Sequence, residues 1–83
     1  MPMYIDFHAK MPSLPKEALD GVRQQLGKSD PEGAKLLEVM FTNDGQAYCL
    51  TDAPSVDAVC RSHEAKGLPI GKGDVHEVAT RIG

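Results

Sequence analysis

The sequence predicts an α+β fold of order β-α-β-β-α-β, and three observations carry this. The chain opens on a strict period-two alternation; two later stretches carry apolar residues at helical spacing; and an Asp-Gly pair joins two strand-like runs between them.

In Met3-Tyr4-Ile5-Asp6-Phe7-His8, the residues Met3, Ile5 and Phe7 share one side and Tyr4, Asp6 and His8 the other, the pattern of a first strand. The proline-containing run Met11-Pro12-Ser13-Leu14-Pro15 ends it. From about Pro15, a residue suited to a first helical turn, Ala18, Leu19, Val22 and Leu26 recur at helical spacing until Gly27. A polar loop from Lys28 to Gly33 leads into a second strand at 35–42, rich in Leu, Val, Met and Phe around Glu38. Asn43-Asp44-Gly45-Gln46 is a tight-turn sequence, so the third strand, Gln46 to Thr51, pairs antiparallel with the second.

Asp52-Ala53-Pro54-Ser55 offers Ser55 as the N-cap of a second helix running to about Lys66, with Asp57 in the first turn where the helix dipole favours a negative charge. Its apolar stripe is Val56, Val59, Cys60 and His63. Gly67 ends it, a glycine-rich connection follows, and Val75 to Ile82 reads as a last strand carried by Val75, Val78 and Ile82. Right-handed crossovers then place both helices on one face of a four-stranded antiparallel sheet, the ferredoxin-like arrangement. The other face needs a cover, and a second copy of the chain supplies one most simply.

The 83 residues are expected to form a single domain, 1–83, of modest core. With 41% apolar and 25% charged residues the chain has the composition of a soluble globular protein. A net charge of −3 with scattered basic residues argues against a nucleic-acid partner. No run approaches the roughly 18 apolar residues of a membrane span, and the N-terminus lacks the basic and apolar regions of a signal peptide, so a cytoplasmic protein is expected. Cys49 and Cys60 are too few for a disulfide framework and are expected reduced. Cys49 reads as a core residue, and Cys60, although it forms a C-x-x-H with His63, reads more readily as a buried structural thiol than as a ligand.

Following the chain direction through this topology, His8 closes strand one, His63 lies in the last turn of helix two and His76 lies near the start of strand four, all at the same end of the sheet. Three residues far apart in sequence thus converge. Neutral imidazole is the commonest transition-metal ligand, and Asp6, two residues before His8 on the same strand side, adds an oxygen; strands disfavour Asp, so one mid-strand needs a partner or solvent. Asp6, His8, His63 and His76 are therefore the expected metal ligands, a nitrogen- and oxygen-rich set that favours nickel or copper over structural zinc. Taken one at a time, each histidine also has an ordinary structural reading: a strand end, a hydrogen-bonded core position, an edge strand.

The segments Met1 to His8, Tyr48-Cys49-Leu50, Ala53-Pro54-Ser55, Ala58-Val59, His63, Gly67-Leu68-Pro69 and Glu77-Val78 resemble those of a family of small nickel-binding, nickel-responsive proteins long classed as a domain of unknown function. The resemblance covers nearly the whole chain. It implies a ferredoxin-like homodimer packed through its sheets, binding nickel without established catalysis. Asp6, His8 and His63 fall on the family's Y-x-D-x-H and second-helix histidine positions, whereas Leu68 stands where the family often carries a further histidine.

A non-enzymatic nickel-binding homodimer is thus the expected function. The alternative is a small dimeric α+β-barrel enzyme of monooxygenase or isomerase type, in which Tyr4, Asp6 and His8 would move a proton; a sizeable closed cavity between sheet and helices would mark it. The paired aromatics of RNA-binding domains with this topology and the CxxC of soft-metal chaperones are both missing.

Overall fold

The alternation of the first segment sets the sheet. In the computed structural model, which describes residues 1–11 and 13–82, so that Pro12 and Gly83 fall outside, the strands are β1 (Met3–His8), β2 (Lys35–Phe41), β3 (Ala47–Asp52) and β4 (Val75–Glu77). The helices are α1 (Lys16–Gln25) and α2 (Val56–Ala65). The sheet order is β2-β3-β1-β4 with every pair antiparallel. This is the expected ferredoxin-like topology. Among the described residues no helix is long and apolar enough to cross a membrane.

Local chemistry fixes the ends of these elements. Ser55 Oγ accepts the amide proton of Ala58 at 3.1 Å, satisfying one of the unpaired donors at the start of α2. Gly45 takes φ +82° in the β2–β3 turn, a left-handed conformation that favours glycine. The Asp30 carboxylate closes the loop before β2, accepting from the amides of Glu32 and Ala34 at 2.9 and 3.0 Å and from the Ser62 hydroxyl of α2.

The sheet places Tyr4, Asp6 and His8 beneath the helices, where all are buried, and turns Met3, Ile5 and Phe7 to the open face. The polar side of β1 is thus its inner side. The core joins α2 to the sheet through Tyr4, Ala34, Ala53, Ala58, Val59 and Val75. Its alanines allow the helix backbone to lie close to the strands. By contrast, α1 buries no residue, and Ala18, Leu19 and Val22 are only half-covered.

Two elements depart from the sequence reading. The inner face of α2 is Ala58, Val59, Ser62 and His63, with Val56 and Cys60 half-buried at its margin, because the small side chains fit closest to the sheet. The last strand is three residues long, not eight, and Ile82 is 93% exposed. Strand β1 begins at Met3, whose carbonyl accepts from Val78 N at 2.8 Å, so beyond Val78 no partner strand remains.

Candidate metal centre

Three elements deliver the site. Asp6 and His8 come from the inner side of β1, Cys49 stands directly opposite Asp6 on β3, and His63 descends from the last turn of α2. All four are buried, and one donor atom from each lies within 4.8 Å of every other.

The Asp6 carboxylate is the hub. Its Oδ1 lies 2.9 Å from His8 Nε2 and 3.3 Å from His63 Nε2, and the two imidazole rings stack with centroids 5.1 Å apart. His63 Nδ1 lies 2.8 Å from the carbonyl oxygen of Val59. A carbonyl only accepts, so Nδ1 carries a proton and Nε2 is the nitrogen that faces Asp6.

These distances are those of charged contact, yet Asp6 Oδ1, Asp6 Oδ2 and His8 Nε2 are buried with no hydrogen bond among the described residues. A carboxylate 1% exposed, with only imidazoles and a thiol around it, is costly to bury, and a bound cation would offset that cost. Two ligands about 2.1 Å from one divalent ion and at right angles are about 3.0 Å apart, close to the separations around Asp6. The donor set therefore fits one transition-metal ion.

The electrostatics divide the two histidines. Burial pushes the pKa of His8 below its ordinary value, the Asp6 charge opposing this only in part, so its ring is neutral. For His63 burial acts downward too, but the Asp6 carboxylate and the Val59 carbonyl outweigh it and hold the pKa above the ordinary histidine value. Burial and the neighbouring Asp6 charge push the Cys49 thiol up to about 12, so without an ion it stays protonated.

The expected convergence of three histidines holds for two. His76 lies at the right end of the sheet but pairs with Ile5, which places it on the open face, exposed, while its neighbour Val75 pairs with Asp6 and turns inward. Side-chain direction alternates at every residue, so a shift of one position decides the face. In its place the structure supplies Cys49, which sequence reasoning assigned to the core alone; the signal was its register against Asp6, fixed only once β1 and β3 pair. Cys60 packs at the margin of the core and stays outside the cluster. Tyr4 is part of the core.

A pocket of about 70 Å³ is lined by His8, Cys49 and His63 and adjoins a cleft of about 430 Å³, the two sharing Leu14, Val22, Leu36, Lys66 and Leu68. The candidate ligands are therefore buried beside a small cavity.

The model of the family described as nickel responsive protein SCO4226-like matches residues 4–81. The crystal structure of SCO4226 from Streptomyces coelicolor A3(2) is similar to this chain, with a TM-score of 0.75 and 27% identity, covering 96% of this chain and 99% of that one. No curated protein matches the sequence.

Proposed function

The chain belongs to the nickel responsive, SCO4226-like family, and from that premise we propose that it is a non-enzymatic nickel-binding protein whose ion is held by Asp6, His8 and His63, with Cys49 as a fourth ligand. The observation that carries this reading is the fully buried Asp6 carboxylate, whose only close polar neighbours among the described residues are two imidazole nitrogens and a thiol. Bound there, a divalent ion would supply the charge that the cluster lacks. Imidazole, carboxylate and thiolate together suit a borderline metal such as nickel better than a hard one such as magnesium.

The protein's own groups prepare the site. Val59 orients His63, burial keeps His8 neutral with its lone pair available, and Asp6 sits where it touches both rings. We place the protein in the cytoplasm, as a homodimer that packs through the open sheet face, where Met40 is 50% exposed and Phe7 lies against Tyr48 with ring centroids 4.9 Å apart. The enzyme reading has less support. The pocket at His8 is about 70 Å³, against the roughly 300 Å³ or more of small-molecule sites, and Tyr4 does not line it.

Titration of chelator-stripped protein with nickel, followed by calorimetry, tests the reading. Saturable binding that His8→Ala and His63→Ala each weaken is the expected result; binding unchanged in both variants, or absent in the parent chain, would remove it.

A further inference from the structure

The interior of α1 carries Gly21, which neither backbone nor packing requires. Its φ is not positive, and a Cβ built there would meet nothing within 4 Å. Glycine inside a helix lowers its stability relative to alanine, so its place here calls for another reason. Gly21 lines the cleft of about 430 Å³ between α1, β2 and the segment after α2. The missing side chain leaves that cleft open.

The cleft is lined mainly by apolar residues, with Gln25 and Lys66 as its two polar groups. Leu14, Ala18, Val22, Leu36 and Leu68 give it apolar walls, and its volume falls in the roughly 300–1,000 Å³ range of small-molecule sites. Lys66 is its only charged lining residue and makes no ion pair among the described residues, although the chain as a whole is acidic. An apolar slot with a single free cation is complementary to a small molecule with a hydrocarbon body and one negative charge.

We propose that the α1 cleft binds a medium-chain carboxylate, its hydrocarbon chain lying between Ala18, Val22, Leu36 and Leu68 and its carboxylate pairing with Lys66. The cleft shares Leu14, Val22, Leu36, Lys66 and Leu68 with the pocket lined by His8, Cys49 and His63, so a bound chain would lie beside the candidate metal centre. The cluster itself is not part of the carboxylate site, and the proposal stands apart from metal binding.

The test uses sodium octanoate on the full, chelator-stripped chain, read by amide chemical shifts and calorimetry, with 1-octanol as the uncharged equivalent. Saturable octanoate binding with shifts centred on Gly21, Val22 and Leu68 is expected, and octanol should bind several-fold more weakly. Gly21→Leu fills the cleft and should weaken octanoate at least tenfold without lowering the melting temperature. Lys66→Gln, at an exposed position, should cost up to about fivefold for octanoate, as expected for an exposed ion pair, and nothing for octanol. Absent or unsaturable binding, equal binding to Gly21→Leu, or octanol binding as tightly as octanoate would overturn the proposal. Nickel titration of the same samples keeps the two claims separate, because either can fail while the other holds.

Discussion

His63 gives its Nδ1 proton to the carbonyl oxygen of Val59, one helical turn earlier, and thereby turns Nε2 toward Asp6 Oδ1 at 3.3 Å. A backbone carbonyl thus fixes both the tautomer and the aim of the ring before any ion arrives. Removing even the outer partners of a metal ligand typically weakens binding by about 10–100-fold. His63→Ala should therefore lower nickel affinity by about 100-fold or more, whereas His76→Ala on the open face should leave it unchanged; parallel calorimetric titrations compare them.

Protons compete with the ion. Against burial, Asp6 and the Val59 carbonyl raise the pKa of His63, so a proton competes for its ring at higher pH than for an ordinary histidine. The Cys49 thiol, pushed up to about 12, holds a proton at neutral pH. Nickel binding at the proposed site would displace these protons, since only the neutral ring and the thiolate can ligate. Nickel affinity should fall as pH drops, and more steeply once the medium is below the raised pKa of His63. At pH 7 at least the Cys49 proton should leave per ion, and the count should rise as pH falls toward the raised pKa of His63. Calorimetry in buffers of different ionisation enthalpy counts them, and Cys49→Ser should reduce the count by about one.

Asp30 ties α2 to the loop before β2. Burial acts to raise its pKa, but the Ser62 hydroxyl and the amides of Ala34 and Glu32 outweigh burial and hold the carboxyl below its ordinary value. A depressed carboxyl pKa stabilises the fold above the unfolded-state value of about 4, and the contribution is lost as pH falls through the folded-state value. Asp30→Ala should cost about 2–3 kcal/mol at pH 7, as hydrogen bonds to a charged group are lost. Urea unfolding should show that deficit shrinking below about pH 4.

The open sheet face should hold a second copy. Ile5, Met40 and Tyr48 are exposed there beside half-buried Phe7. Sedimentation should give a dimer for the parent chain and a monomer for the Ile5→Glu, Met40→Glu double variant, with the melting temperature lowered as the sheet loses its cover. A monomeric parent chain at micromolar concentration would contradict the arrangement.

Most of the fold was legible because local signals agree with one another. Ser55, the Asp44-Gly45 turn and the alternation in β1 each specify a boundary or a face with no help from distant residues. The unusual Asp6 marked a position that needs a partner or solvent, and the structure buries it beside His8 and His63. What the sequence hid depends on register. Whether His76 or Val75 faces inward turns on one residue of β4 pairing, and Cys49 became a neighbour of Asp6 only through the β1–β3 register. The loose seating of α1 was likewise invisible, because Ala18, Leu19 and Val22 repeat at the same spacing whether or not the helix packs tightly.

The most direct measurement is anomalous diffraction at the nickel absorption edge from crystals of the nickel-loaded chain. The account predicts one strong peak among Asp6 Oδ1, His8 Nε2, His63 Nε2 and Cys49 Sγ. A peak on the open face at His76, or none within the Asp6 cluster, would contradict it.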